Sequence, residues 1–359
     1  MSVYAKPAVT GQGTIAGARS FLRRMLEGQS VSSVLVDVAA EGQGIPHRRL
    51  VHDPEQLEHS LPFAPAILAS GARLAAQLTE RRAMQAGGRP AGKRPCAIVM
   101  RPCEARAAVE LSKLRQVDLS QVLIIAVDCV GTHEAAAFGG LEMPGVEWAE
   151  RYTESLRRGG ADSPVPLPYR RACTRCVDAV APVADIWLHV IGVPEAEEIL
   201  VEVRDPELAE RLELGAVDDV PERGVVLAQL KAQRESKRQL ELDAALQALQ
   251  PGADGRPGLT GQFDTCLRCL NCGTACPLCY CKECLFRTDS LRVECRHLFD
   301  LAERRGAVRL PGDAILYQLT RLIHVSTSCV GCGLCSSACP MDLPVDLVFQ
   351  SVGRETQAL

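Results

Sequence analysis

The chain contains 359 residues, of which 47% are hydrophobic and 23% are charged, and its formal net charge at pH 7 is -4. These values exclude an intrinsically disordered chain, and they give no basic surface of the kind that binds nucleic acid. The length exceeds that of one ordinary domain, so we expect two domains. Residues 1–7 do not read as a secretory signal, and no apolar run approaches the roughly 18 residues of a membrane helix. We therefore expect a cytoplasmic protein without a membrane span.

The first part of the chain alternates between patterns of helix and strand. One helix is predicted from four apolar residues at positions i, i+3, i+4 and i+7, which are Ala18, Phe21, Leu22 and Met25. Ala/Leu-rich stretches predict further helices at 70–80 and 105–114. Apolar, β-branched runs predict buried strands at 34–36, 97–100 and 122–127. This alternation is typical of an α/β domain.

A second domain follows a change in composition near residue 250. Residues 225–249 are rich in Leu, Gln, Lys, Arg and Glu, which favour a long, solvated helix. Residues 251–262 begin with a run of Gly and Pro, which denies the chain regular structure and predicts a linker. We therefore predict an N-terminal α/β domain at 1–250 and a C-terminal domain at 263–359. Helical patterns between its cysteine motifs predict that the second domain is mostly α-helical.

The cysteine content is the most unusual feature of the composition. Disulfides are rare in a reducing compartment, and 17 cysteines are too many for a chance distribution. Seven of them lie between Cys266 and Cys284, and four lie between Cys329 and Cys339. Metal binding explains such clustering better than disulfide bonds do.

Two segments share one cysteine motif. Residues 266–277 and 329–340 both read Cys-x-x-Cys-x-x-Cys-x-x-x-Cys-Pro, which is the pattern of two-cluster bacterial ferredoxins. In that pattern the first three thiolates hold one [4Fe–4S] cube, and the fourth ligates the neighbouring cube. The ligands of one predicted cluster are Cys266, Cys269, Cys272 and Cys339, and those of the other are Cys329, Cys332, Cys335 and Cys276. Zinc is the alternative, although zinc sites usually present two Cys-x-x-Cys pairs separated by a finger.

Four further cysteines follow the first motif, and they are Cys279, Cys281, Cys284 and Cys295. They could form a third metal site in this domain. Alternatively, some of them pack in the interior, because free cysteine behaves as a small buried hydrophobic residue. The sequence leaves both interpretations open.

Four cysteines of the first domain are candidates for a further metal centre. Cys103 and Cys129 each follow a predicted strand. The carboxyl ends of strands share one edge of an α/β sheet, where such folds bind ligands, so these two cysteines could converge there. Cys173 and Cys176 form a Cys-x-x-Cys pair that would complete four ligands.

The segments around these cysteines resemble a known family. Residues 101–104 read Arg-Pro-Cys-Glu, 128–132 read Asp-Cys-Val-Gly-Thr, and 173–178 read Cys-Thr-Arg-Cys-Val-Asp, followed by Ala-Asp-Ile at 184–186. They are similar to the beta subunits of deazaflavin-reducing (coenzyme F420) hydrogenases and formate dehydrogenases. The resemblance implies that the four cysteines hold one [4Fe–4S] cluster beside an FAD, which gives three clusters in total. Formate dehydrogenase members also carry a two-cluster extension, so the resemblance covers most of the chain.

The resemblance also implies which residues contact FAD. The candidate FAD contacts are Gly13, Gly17, Pro62, Phe63, Arg101 and Lys231. The glycines belong to a segment similar to the family's glycine-rich segment, and the next two residues stand where the family has a flavin-facing segment. The two basic residues could neutralise a phosphate or a reduced flavin, or they could be solvated or ion-paired as lone basic residues usually are.

A flavin beside iron–sulfur clusters has a physical use, because clusters pass single electrons, hydride carriers exchange electron pairs, and a flavin does both. The resemblance implies an oxidoreductase subunit. Such a subunit relays electrons between a catalytic dehydrogenase or hydrogenase subunit, three clusters, FAD and a hydride carrier such as a deazaflavin. One alternative is a flavin-free electron-transfer adaptor that links a dehydrogenase to a heterodisulfide-reductase-like partner. The other is a zinc-bound structural module.

Overall fold

The computed structural model describes most of the chain. The described residues are 3–6, 13–39, 45–85, 94–138, 145–160, 167–194, 199–216, 220–252, 255, 258–291, 295–306 and 313–358. The chain divides into two compact units, Met1–Gln239 and Leu240–Leu359. This division precedes the Gly/Pro-rich segment 251–262, part of which lies outside the described residues. The role of that segment as a linker stays a prediction.

The first unit is built around one mixed β-sheet. Its strands are β1 (Val3–Lys6), β2 (Ser33–Val38), β3 (His47–Val51), β4 (Cys96–Met100), β5 (Val122–Val127), β6 (Ile186–His189), β7 (Leu200–Val203) and β8 (Gly215–Ala216). Within the described residues the strand order is β3-β2-β4-β5-β6-β7-β1-β8. The four central strands β2, β4, β5 and β6 are parallel, and the outer pairings are antiparallel. The mixed α/β architecture predicted from the sequence is confirmed.

Helices connect and cover these strands. They are α1 (Thr14–Glu27), α2 (Gly71–Gln85), α3 (Pro102–Lys113), α4 (Ala135–Phe138), α5 (Gly145–Arg157), α6 (Arg171–Thr174), α7 (Pro206–Arg211) and α8 (Pro221–Ala248). Every residue of β2, β4 and β5 is buried, which explains why these strands read as continuous apolar runs in the sequence. The division between the two units falls inside α8.

The apolar face predicted for the first helix is confirmed. In α1 the side chains of Ala18, Phe21, Leu22 and Met25 are at most 1% exposed and belong to the main hydrophobic core. Burial of each of the larger side chains contributes about 1.5–3 kcal/mol, which is enough to hold this helix on the sheet.

The outer strands were harder to recognise in the sequence. Strands β1, β3, β6, β7 and β8 are not predicted by the patterns above. Strand β3 illustrates the reason, because its three leading residues are His47, Arg48 and Arg49, and its burial alternates along the strand. An edge strand with charged residues gives no continuous apolar run.

The described elements of the second unit, beyond the end of α8, are helices. They are α9 (Asn271–Ala275), α10 (Cys295–Arg305), α11 (Asp313–Val325), α12 (Leu334–Ser337) and α13 (Val345–Gln357). The short helices α9 and α12 contact each other, and each follows the first cysteines of one motif. The Leu259 N–H donates to the carbonyl oxygen of Leu249 at 3.0 Å, so the chain after α8 turns back on the end of that helix.

Candidate metal centres

Two predicted ligands of the first unit lie at one edge of the sheet. Met100 of β4 pairs with Ala126 of β5 in parallel register. Cys103 and Cys129 each stand three residues beyond one member of that pair. Since parallel strands end at the same edge, both cysteines are carried to the carboxyl edge of the sheet, as the sequence predicts.

A third cysteine is connected to the loop that follows β5. The Cys129 N–H donates to the carbonyl oxygen of Ala179 at 2.9 Å, which joins this loop to the residues after the Cys-x-x-Cys pair. The Thr132 N–H donates to Cys173 Sγ at 3.4 Å, and the Thr132 hydroxyl lies 3.7 Å from the same sulfur. Gly131 lies between these residues, with φ at 132°, and an added Cβ would come within 3.0 Å of the Cys173 Cβ. The loop therefore approaches Cys173 more closely than a larger residue would permit.

Two arginines hold the Cys-x-x-Cys segment against its neighbours. Arg106 of α3 forms an ion pair of 2.9 Å with Asp178. Arg234 of α8 donates to the carbonyl oxygen of Cys176 at 3.0 Å and also to that of Val130. The three segments that carry the four predicted ligands are thus tied together by hydrogen bonds and one ion pair.

The thiols of these segments influence one another. Burial and, to a smaller extent, the nearby thiols of Cys173 and Cys176 raise the pKa of Cys129 to about 11, against the opposing effect of Arg101. Burial also raises the pKa of Cys176. Metal binding must displace these protons, because only the thiolate is a ligand. Cys129, Cys173 and Cys176 are therefore close enough to act on one group.

A buried ion-pair network fixes the end of β5. Asp128 accepts hydrogen bonds from Arg223 Nη1 at 2.7 Å and Nη2 at 3.1 Å. It also accepts from the backbone N–H groups of Val190 and Ile191, each at 2.9 Å, and lies 3.1 Å from His189 Nδ1. Burial alone would raise the pKa of Asp128, but Arg223 and His189 outweigh it and hold the pKa well below its usual range. Asp128 therefore stays charged and anchors the loop that begins with the next residue.

The candidate FAD contacts are placed in different environments. Gly13 is exposed at the start of α1, with φ at 96°, and Gly17 is buried within that helix. Pro62 and Phe63 are both buried, and the Phe63 side chain belongs to the main hydrophobic core. Lys231 is exposed on α8. Their contacts with a flavin stay predictions.

Arg101, the remaining candidate FAD contact, is an internal residue that is only 4% exposed. Its guanidinium donates to the carbonyl oxygens of Ala64 at 2.6 Å and Ala66 at 3.0 Å. It also pairs with Asp37 at 3.5 Å and with Glu104 at 3.3 Å. Its charge is balanced by these carboxylates, which agrees with the ion-paired alternative, and direct contact with a flavin stays a prediction.

In the second unit one cavity brings both cysteine motifs together. The space between its lining side chains amounts to about 300 Å³ when the part open to solvent is included. The cysteines that line it are Cys266, Cys269, Cys272 and Cys339. These are the four ligands that crossed ligation assigns to one cluster, three from the first motif and the last from the second. The donor set of four thiols fits a [4Fe–4S] cube.

The complementary set is connected through the buried Cys276. A hydrogen bond with Cys279 and burial raise the pKa of Cys276, and the thiols of Cys335 and Cys332 raise it further. Burial raises the pKa of Cys335, with smaller contributions that include Cys332 and Cys329. The last cysteine of the first motif thus lies near the leading cysteines of the second motif.

The two motifs share an unusual backbone conformation. In the first, Arg268 and Leu270 have positive φ values of 54° and 63°, and they flank the second cysteine. In the second motif the equivalent residues are Gly331 and Gly333, with φ values of 67° and 70°. A non-glycine residue in this region costs about 1–3 kcal/mol unless its surroundings favour it. The loops have therefore retained the same shape with and without glycine.

The additional cysteines of the second unit lie in different environments. Cys281 is exposed, Cys279 and Cys284 are partly buried, and the side chain of Cys295 lies outside the described residues. A hydrogen bond from Cys276 lowers the pKa of Cys279 to about 5. Within the described residues, no three His, Cys, Asp or Glu side chains converge closely enough to hold a single metal ion. An iron–sulfur cube spreads its ligands more widely than a single ion, because iron and sulfide lie between them.

Sequence reasoning did not identify the residues of α11 that contact the cysteines. Gln318 Nε2 donates to Cys266 Sγ at 3.5 Å and to Cys272 Sγ at 3.7 Å. Arg321 Nη1 donates to Cys272 Sγ at 3.1 Å. The only available signal was a pair of polar residues on a predicted apolar helix, three positions apart.

The paired loops and their shared cavity define the C-terminal part of the chain as a ferredoxin-type iron–sulfur domain. The family described as "4Fe-4S binding domain" matches residues 323–344, which include the second motif. Among the helices in the described part of the chain, none is long and apolar enough to cross a membrane.

Most of the chain is similar to two curated proteins. One is the F420-dependent formate dehydrogenase subunit beta of Methanocaldococcus jannaschii, which is 27% identical over 276 residues, or 70% of this chain and 69% of the relative. The other is the F420-dependent formate dehydrogenase 1 subunit beta of Methanococcus maripaludis, which is 27% identical over 298 residues, or 73% of this chain and 70% of the relative. The resemblance predicted from the sequence, to beta subunits of this kind, is confirmed.

A solved structure also aligns with this chain. It is a structure of the F420-reducing [NiFe] hydrogenase complex from Methanosarcina barkeri, with a TM-score of 0.45 and 13% sequence identity. The alignment covers 72% of this chain and 94% of the chain in that complex.

Proposed function

We propose that this chain is the iron–sulfur flavoprotein subunit of a cytoplasmic oxidoreductase complex. It relays electrons between a catalytic formate dehydrogenase or hydrogenase subunit, three [4Fe–4S] clusters and FAD. Hydride is then exchanged with a deazaflavin or a similar carrier. The observation that carries this proposal is the convergence of cysteines from both ferredoxin motifs on one cavity in a chain similar to formate dehydrogenase beta subunits.

The two C-terminal clusters have complementary ligand sets in this proposal. Their ligands are Cys266, Cys269, Cys272 and Cys339 for one, and Cys329, Cys332, Cys335 and Cys276 for the other. A [4Fe–4S] cluster supplies reversible one-electron transfer. The protein's own contribution is to bury the thiolates, since Cys266, Cys272, Cys276 and Cys335 are each less than 9% exposed. Limited access of water protects the clusters and affects their reduction potential.

The third cluster is proposed for Cys103, Cys129, Cys173 and Cys176. The hydrogen bonds and ion pair that tie their three segments together support this assignment. The parallel register of β4 and β5 supports it independently, because it carries two of the cysteines to the same edge.

FAD is proposed to bind beside this third cluster. The segment that includes Pro62 and Phe63 is joined to the loop after Cys129, because the His133 N–H donates to the carbonyl oxygen of Pro65 at 2.8 Å. Arg101 fixes the same segment by donating to the carbonyl oxygens of Ala64 and Ala66. The segment expected to face a flavin is therefore next to a loop that carries a predicted cluster ligand, which supports electron exchange between the two groups.

A second candidate function is an electron-transfer adaptor without flavin. The internal ion pairs of Arg101 and the core position of Phe63 favour it, because neither side chain is free to contact a bound ligand. Such an adaptor would connect a dehydrogenase to a heterodisulfide-reductase-like partner through its clusters alone.

Iron, sulfide and flavin content separates these functions. The protein would be purified anaerobically and its visible and electron-paramagnetic spectra recorded. The proposed flavoprotein should contain about 12 iron atoms and about one FAD per chain. About 8 iron atoms without FAD would favour the adaptor, and zinc in place of iron would exclude both.

Replacement of Cys103 by alanine tests the third cluster. We expect a loss of about 4 iron atoms per chain and a loss of flavin reduction, while both C-terminal clusters remain. Cys96→Ala is a matched control, because Cys96 is a buried cysteine at the start of β4 that is not a predicted ligand. Unchanged iron content in the Cys103 variant would contradict the assignment.

A further inference from the structure

One helix of the second unit, α11, contacts ligands of the cluster predicted for Cys266, Cys269, Cys272 and Cys339. The inward face of α11 carries Tyr317, Gln318 and Arg321, all of which lie close to Cys272. Arg321 is the closest, with its Nη1 3.1 Å from Cys272 Sγ and its Nη2 3.4 Å from the Cys272 carbonyl oxygen. Its hydrogen bonds are thus directed at a single predicted ligand.

Arg321 is also a deeply buried cation. It is only 4% exposed, and its guanidinium lies 4.8 Å from the centroid of the Phe349 ring and 5.5 Å from that of the Tyr317 ring. Within the described part of the chain it forms no ion pair with a carboxylate, and its Nε has no hydrogen-bond partner. Its Nη1 also donates to Gln318 Oε1 at 3.1 Å, and its side chain is hydrogen-bonded to Cys279.

The surroundings of Arg321 include thiols from both motifs. Burial lowers the pKa of Arg321, but the neighbouring cysteines more than reverse this effect and raise the pKa above its ordinary value. The cysteines that contribute are Cys272, Cys335, Cys279 and Cys276. Two of these, Cys276 and Cys335, are predicted ligands of the second cluster, and Cys272 is a predicted ligand of the first.

A buried guanidinium is costly unless a negative charge compensates it. A [4Fe–4S] cluster with four thiolate ligands is an anion, so the cluster held by Cys272 would provide the missing counter-charge. The arginine in turn affects the cluster. A positive charge and N–H···S hydrogen bonds stabilise the reduced cluster, which is the more negative form, and therefore raise its reduction potential.

We propose that Arg321 is a positioning residue that raises the reduction potential of the C-terminal cluster held by Cys272. This inference rests on the proposed function only in requiring the two C-terminal clusters. It does not depend on the flavin or on the third cluster.

Redox titration of the complete chain tests this role. Arg321→Gln would be compared with Arg321→Lys and with a control, Arg354→Gln, which removes a guanidinium of the same unit that pairs with Asp243 and Glu355. Each protein would be purified anaerobically, and the midpoint potentials of both clusters would be followed by electron-paramagnetic resonance.

Arg321→Gln should lower the midpoint of the cluster held by Cys272. For this cluster we expect about a tenfold smaller one-electron reduction constant, which corresponds to about 59 mV, and the other cluster provides an internal comparison with a smaller change. Arg321→Lys should lower the midpoint less, because it keeps the charge and loses the forked hydrogen bonds. Arg354→Gln should leave both unchanged.

Three outcomes would overturn the inference. The first is a fully loaded Arg321→Gln protein in which the midpoint of the cluster held by Cys272 equals that of the wild type. The second is a decrease of equal size in the Arg354 control. The third outcome matters if the Arg321→Gln protein loses its clusters. In that case the inference is overturned if the midpoint of the Arg321→Lys protein is at least as low as the value expected for Arg321→Gln. A wild-type protein without two [4Fe–4S] signals from the C-terminal motifs would instead contradict the proposed function.

Discussion

Replacement of Cys339 by alanine should remove the cluster held by Cys266, Cys269 and Cys272, although Cys339 belongs to the other motif. The reason is that Cys339 lines the same cavity as those three residues. A four-iron cluster that loses one of its four thiolates is destabilised, so the iron content should fall by about 4 atoms per chain. The cluster of the second motif should remain.

The identity of the lost cluster is decided by matched variants. Cys269→Ala should give the same electron-paramagnetic spectrum as Cys339→Ala, whereas Cys332→Ala should give a different one. Cys281→Ala is the control, because Cys281 is an exposed cysteine outside both predicted ligand sets. Crossed ligation would be wrong if the Cys339 spectrum matched that of Cys332→Ala.

Replacement of Arg223 by alanine should strongly destabilise the first unit. The change removes two hydrogen bonds to Asp128 and leaves a carboxylate that is 2% exposed without its main counter-charge. Loss of one partner from a buried ion pair costs about 3–5 kcal/mol. The expected result is a decrease of about 6–20 °C in the unfolding temperature, measured by circular dichroism.

Arg204 provides the comparison for this prediction. Its side chain is 48% exposed, and it pairs with Asp185 at 3.7 Å. An exposed ion pair contributes about 0–1 kcal/mol, so Arg204→Ala should change the unfolding temperature by only a few degrees. Equal effects of the two substitutions would mean that the buried network does not stabilise the unit.

The central elements of the fold could be predicted because their residues are patterned locally. The continuous apolar run at 122–127 coincides with β5, and the apolar positions of α1 repeat with the helical period. Strand β3 is different, because its residues acquire their partners only by pairing with β2. Hydrogen bonding between distant segments leaves no periodic signal in either segment alone.

The candidate site shows the same distinction. The cysteines within 266–277 are spaced only a few residues apart, so the ligand motifs can be recognised from the sequence. The contact between Arg321 and Cys272 joins residues 49 positions apart, and no local sequence pattern around either residue predicts it. The ion pairs of Arg101 with Asp37 and Glu104 likewise required the folded chain. The sequence therefore predicts which residues would bind metal but not which residues surround them.

The anchoring of the loop after β5 has a consequence for biosynthesis. Asp128 is held by Arg223, which is 95 residues further along the chain, and Val130 is held by Arg234, which is 104 residues further along. At about 5–20 residues per second, the ribosome needs about 5–20 s to make the intervening segment. The loop that carries Cys129 leaves the ribosome before either arginine has been added. Its final anchoring must therefore come after Arg234 of α8 has been added.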